Sequence, residues 1–161
     1  MLSEAKDNAL MSLQNRLPAL LSDAIAWATM VAADVALRGV KLDAARFADA
    51  QTVGVHQPEH IRILIVDHMP QPPGAELQAA ASQTGLLGPA MVGLTLGYAV
   101  LIRRGHRSRR LLSHEFRHVF QYEQAGSIAI FLPQYLASLV CHGYWNCPFE
   151  QDARLYEVAN P

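Results

Sequence analysis

The residues best suited to do chemistry lie in one short stretch, His114-Glu115-Phe116-Arg117-His118. Two histidines four apart on a helix project from one face, so their ring nitrogens can share a single ion. The glutamate beside the first histidine is then held next to that ion without coordinating it. From there it can take a proton from a metal-activated water. Three other sets of residues carry candidate chemistry. His56-Gln57-Pro58-Glu59-His60 repeats the histidine spacing, but Pro58 opposes a helix, so His56 and His60 read as loop residues without a shared face. Arg103, Arg104, Arg107, Arg109 and Arg110 crowd five arginines into eight residues. That run reads as a solvated loop, or else as a cationic rim for an acidic substrate, a nucleic acid or a partner. No aromatic residues interleave with it, so a single-stranded nucleic acid is not expected as a partner. Cys141 and Cys147 are too few for a disulfide scaffold and lack the partners of a thiolate metal site, which leaves them a structural role.

A helix must hold the motif, and Leu111 to Gln124 supplies one. Leu112, Phe116, Val119 and Phe120 recur at helical spacing as an apolar stripe, while His114, His118 and Tyr122 fall on a different face, turned toward a cleft. Gly126 is the expected stop. From Ser127 to Cys141 the chain is apolar and helical in period, with Pro133 near the first turn of its main helix and Gly143 ending it. Asn146-Cys147-Pro148 opens a last helix, since proline suits the first helical position. Glu150 falls in its first turn, where the positive helix end keeps a carboxylate ionised, either as an ordinary helix-start glutamate or ready to coordinate. Glu123, nine residues after His114 on the motif's own helix, is poorly placed to reach the same ion.

The elements before the motif carry less chemistry. Ser3 caps a first helix with apolar positions at Ala9, Leu10, Leu13 and Leu17, and Pro18 starts a second that runs to about Leu37 and stops at Gly39. Asp43 opens a shorter helix through Gln51. Ile61 to Val66 reads as a strand ended by the Pro70–Gly74 cluster, and a short helix spans Ala75 to about Gln83. Met91 to Ile102 is the second strand region, with Leu94, Leu96, Tyr98, Val100 and Ile102 on one face and Thr95, Gly97, Ala99 and Leu101 on the other. Its edge can take an extended peptide by strand addition, or it can form an ordinary core hairpin.

These elements describe one α+β domain over 1–161. Residues 1–52 form an N-terminal helical part, and residues 53–161 form the sheet and the metal-binding helices. At 161 residues the chain is long enough to bury a core, and 13 basic against 14 acidic residues imply no bulk polyanion partner. The longest apolar run, Pro18 to Leu37, contains Asp23 and Asp34, each costing about 2.5–3.5 kcal/mol at a bilayer centre, so no membrane span is expected. The first seven residues lack the features of a signal peptide, and a cytoplasmic protein with reduced thiols is expected. Nothing indicates the oligomeric state.

The combination of His114-Glu115-Phe116-Arg117-His118, Gln121-Tyr122-Glu123, Gly126, Gly143-Tyr144 and Pro148-Phe149-Glu150-Gln151-Asp152-Ala153 resembles the gluzincins, zinc metallopeptidases, and more narrowly the small bacterial minimal-gluzincin type. The resemblance covers Met91 to about Glu157. It implies a zincin-like fold, Zn2+ held by His114, His118 and Glu150, and Glu115 as the base and proton shuttle that cuts a peptide or protein substrate. It also makes Tyr144 and His142 candidates for stabilising the oxyanion. The metzincin branch is excluded, because Gln121 and Gln124 stand where it needs Gly and His. A thermolysin-like pattern places Asp four residues after the third ligand; here that position is Arg154, and Asp152 either braces a histidine from another angle or competes as a ligand. The alternative to an enzyme is a zincin-like protein that binds zinc without catalysis and works as a binding or regulatory module.

Overall fold

The computed structural model describes residues 2–160. The first element is a long helix, α1 (Leu2–Arg38), which runs through Pro18 without a break. The expectation of a Ser3 cap and a second helix starting at Pro18 is therefore corrected. A proline inside a helix removes one backbone hydrogen bond, and here that loss is absorbed by apolar packing on both sides of it. Leu13 and Leu20 are both buried, in one cluster with Ala80 and Val140. By length and composition alone α1 meets the requirement for a membrane span, a criterion that buried core helices also meet. Asp23 and Asp34 lie on its exposed side.

A short helix, α2 (Ala44–Thr52), starts where Asp43 accepts from the Arg46 amide at 2.9 Å. A single 3-10 turn over Pro58–His60 then leads into β1 (Arg62–Val66). After α3 (Ala75–Gln83) come β2 (Gly93–Leu96) and β3 (Ala99–Arg103). The sheet has the order β1-β3-β2, with β1 parallel and β2 antiparallel to β3.

The second strand region is thus a hairpin. Gly97 takes φ +66 at the first position of a two-residue turn, where a primed turn needs it. That turn shifts the alternation by one residue. Leu94 and Leu96 pair with Leu101 and Ala99, while Thr95 pairs with Val100. The expected faces, drawn for one uninterrupted strand, are corrected accordingly.

The sheet is covered on both faces. On one side Val100, Ile102, Ile61 and Ile63 pack on Leu112, Phe116 and Val119 of the motif helix and on Ala50 and Val53. On the other, Leu96, Ala99 and Leu101 pack on Ala24, Ala28, Val31 and Val35 of α1 and on Leu132. Gly93 and Thr95 of β2 therefore look toward the motif helix, which decides how the site is built.

Candidate metal centre

The motif lies on α4 (Arg109–Ala125), capped by Ser108, whose hydroxyl accepts from the Leu111 amide at 3.1 Å. The helix ends at Gly126, φ +101, and the chain turns by 117° into the next helix, α5 (Ile128–Asn146), capped by Ser127. Pro133 sits in the body of α5, beyond the first turn where it was expected. At Gly143 (φ 73, ψ 165) the helical geometry of α5 breaks, as its glycine implied. Pro148 then starts the last helix, α6 (Pro148–Leu155), with Glu150 in its first turn. The sharp bend and the break fold α5 and α6 back over the motif face of α4.

This return brings Glu150 to the two histidines. His114 Nε2 lies 3.1 Å from Glu150 Oε2 and His118 Nε2 lies 3.2 Å from Glu150 Oε1. The two Nε2 atoms are 3.2 Å apart. A tetrahedral site with bonds of about 2.1 Å has donor-to-donor edges of about 3.4 Å, and the contacts among the two ring nitrogens and the two Glu150 oxygens are close to that spacing. Among the described residues they are the group whose ligand atoms converge in this way, within 4.8 Å of one another. His56 and His60 are exposed and outside it.

The surrounding hydrogen bonds make the convergence chemically demanding. His114 Nδ1 is 3.0 Å from the Glu157 carboxylate, which can only accept, so Nδ1 carries the proton. His118 Nδ1 is 2.8 Å from Gln121 Oε1. The Gln121 amide is not free to flip, because its Nε2 donates to Asp152 Oδ2 and to the Phe149 carbonyl, both at 2.9 Å. His118 Nδ1 is therefore the donor too. While the rings are neutral, the two Nε2 lone pairs face each other and the two Glu150 oxygens at 3.1–3.2 Å. One shared proton serves only one of these contacts, so the group gains by taking up further protons or a cation. The residues present fit a divalent metal ion.

The protonation energetics agree. Burial pushes the His118 imidazole down, but the Glu150 carboxylate bonded to it outweighs burial and raises it from 6.5 to about 9. His114 is raised by the same balance. Burial would raise the Glu150 carboxyl, yet His114, His118 and the Tyr135 hydroxyl, 2.6 Å from Oε1, hold it well below the ordinary carboxylate range.

Glu115, 4 % exposed, is pinned against β2. The Thr95 hydroxyl lies 2.6 Å from Glu115 Oε2. A Cβ on Gly93 would come within 2.3 Å of Oε1, so only glycine lets the carboxylate lie there. The cavity that Glu115 shares with His114, His118, Glu150, Tyr135 and Tyr144 holds about 30 Å3. These side chains thus line a narrow pocket, with α5 and α6 packed over the motif face of α4.

The other predicted residues separate. Tyr144 lines the cavity beside Glu150, and burial followed by the Glu150 charge keeps its phenol protonated. His142 does not: it is exposed, bonded to the Ser138 carbonyl one turn back, and falls outside the cavity wall. Asp152 is a brace. It pairs with the Arg117 guanidinium at 2.8 Å and fixes Gln121, which fixes His118. Glu123 accepts from the His56 and Gln57 amides and from the Tyr98 hydroxyl, and so secures the 53–60 loop. The arginine run is largely paired, Arg104 with Asp67, Arg109 with Asp49 and Arg110 with Glu157. Cys147 is buried and Cys141 exposed, both free thiols. Sequence reasoning missed Thr95, Tyr135 and Glu157, and no spacing or motif in the sequence singles them out. Comparison with family models, with curated proteins and with solved structures finds no match for this chain.

Proposed function

We propose that this protein is a zinc-dependent metallopeptidase with a zincin-like fold of the gluzincin type. The observation that carries the reading is the convergence of the His114, His118 and Glu150 lone pairs beside the buried Glu115 carboxylate. Two imidazoles and one carboxylate are a donor set that zinc takes while keeping a position open. Zinc bound there supplies the Lewis acidity that brings the pKa of a water to about 7.

The chain's own residues supply the rest. Thr95 occupies Glu115 Oε2, which leaves Oε1 as the oxygen that accepts the proton of the attacking water and hands it to the leaving amine. Tyr144, its phenol kept protonated, donates to the oxygen of the scissile carbonyl as charge develops. An extended peptide binds along β2, the edge strand of the sheet on the side of α4.

The second reading, a zinc-binding module without catalysis, is favoured by one feature, the small volume of the cavity, about 30 Å3. Zinc analysis combined with a peptide-cleavage assay separates the two. Glu115→Gln is expected to retain zinc and lose turnover by about 10²–10⁴-fold. A wild-type chain that holds zinc and cuts no peptide is the module.

A further inference from the structure

A carboxylate can hold an ion through one oxygen or through both, and Glu150 is placed for either. Its Oε2 lies 3.1 Å from His114 Nε2 and its Oε1 lies 3.2 Å from His118 Nε2, so each oxygen faces one ring nitrogen at nearly the same distance. What makes the two unequal is Tyr135 of α5. Its hydroxyl lies 2.6 Å from Oε1. An ionised carboxylate only accepts, so the phenol is the donor, and at this distance the bond is of the short, charge-assisted kind. The ring that carries the hydroxyl is wedged between three others. Its centroid is 6.0 Å from His118 on α4, 5.9 Å from Phe131 one turn back on α5, and 6.3 Å from Phe149 on α6. Packing on three helices fixes the plane of the ring, and with it the oxygen that the hydroxyl reaches.

From this we infer that Tyr135 is a positioning residue: by holding Oε1 it restricts Glu150 to coordination through Oε2 alone, and so keeps the fourth place at the ion for water. This rests on the zinc reading above and says what sets the coordination number of that site. An oxygen whose lone pair is drawn into a short hydrogen bond is a poorer donor to a cation than its free twin. With Oε1 released, both oxygens would reach one ion, and two imidazoles, two carboxylate oxygens and a water make five ligands in place of four. A catalytic zinc site has three protein donors and one open position. Fixing that number is the protein's own contribution, and each further donor weakens the ion's pull on its water.

Cobalt(II) in place of zinc reports the number of ligands through its visible bands, strong at four and weaker at five. The cobalt-loaded wild-type chain is expected to give the strong spectrum. Tyr135→Phe removes one oxygen and keeps the wedged ring. It is expected to lower the band intensity by at least about twofold. Metal affinity in a chelator competition should stay within about threefold, because Oε1 becomes a donor, instead of falling by the roughly 10–100-fold that loss of a bracing partner costs. A merely structural role for Tyr135 gives the reverse, affinity lost and the spectrum of the bound ion unchanged. Tyr144→Phe removes the other phenol that faces Glu150 and is expected to leave the intensity in place. A five- or six-coordinate spectrum of the wild-type chain, an unchanged spectrum in Tyr135→Phe, or an equal loss in Tyr144→Phe overturns the inference and leaves the metal reading standing. A chain that takes up neither cobalt nor zinc overturns both.

Discussion

The chain carries two pairs of histidines four residues apart, and only one of them makes a site. His56 precedes the 3-10 turn Pro58–His60 and His60 ends it, both exposed, and among the described residues no group of three ligating side chains includes them. His114 and His118 lie on a seventeen-residue helix, are buried, and meet Glu150. Spacing alone is the same in both. What differs is the backbone that turns equal spacing into a shared face, and the acceptors that set each ring: Glu157 behind His114, and Gln121 with Asp152 behind His118. The candidate metal site is thus a property of α4, α5 and α6 together rather than of the motif.

The sharpest way to break the comparison is to remove one histidine from each pair. His118→Ala is expected to bring bound zinc below about 0.1 per chain, while His60→Ala leaves it at the wild-type level by metal analysis. Next in size are the bracing residues. Gln121→Ala or Glu157→Ala should weaken zinc by about 10–100-fold in a competition titration with a chelator, because the rings lose their orientation and basicity. The corresponding acid beside the first pair, Glu123, should behave oppositely. Glu123→Ala returns the exposed His56 and Gln57 amides to solvent and leaves the Tyr98 hydroxyl its bond to Gln57, and is expected to cost about 0.5–1.5 kcal/mol in denaturant unfolding, with zinc affinity unchanged.

The smallest effect is in pH. In the metal-free protein His118 titrates at about 9 against an ordinary 6.5. A group raised on folding stabilises fully below its unfolded pKa and loses that contribution as pH climbs through the folded one. The chelated protein should therefore lose thermal stability between about pH 6.5 and 9. Zinc-loaded protein, whose ligand rings are already neutral, should not follow that trend in the same scans.

How much of this was legible in the residues follows from which interactions are local. Ser108, Gly126, Asp43 and Pro148 mark their helix ends through contacts within a few residues, and those ends are where the sequence placed them to within two positions. The meeting of His114 and His118 was legible because they share a helix face, whereas Glu150 was singled out by the family resemblance, since a glutamate in a helix's first turn is ordinary by itself. Pro18 misled because its cost is local, whereas the packing of Leu13 and Leu20 that outweighs it comes from α3 and α5. The strand faces went wrong at Gly97, where two residues of turn reverse the alternation. Thr95, Tyr135 and Glu157 were invisible for the same reason in reverse: each reaches the site from an element whose approach only the tertiary fold decides.

X-ray absorption at the zinc edge on the purified wild-type chain tests the central claim most directly. The account predicts one zinc per chain with two imidazole nitrogens and carboxylate or water oxygens at about 2.0–2.2 Å, a spectrum that changes in Glu150→Ala and not in His56→Ala. Zinc absent from the wild-type chain, or a spectrum indifferent to Glu150, would contradict it.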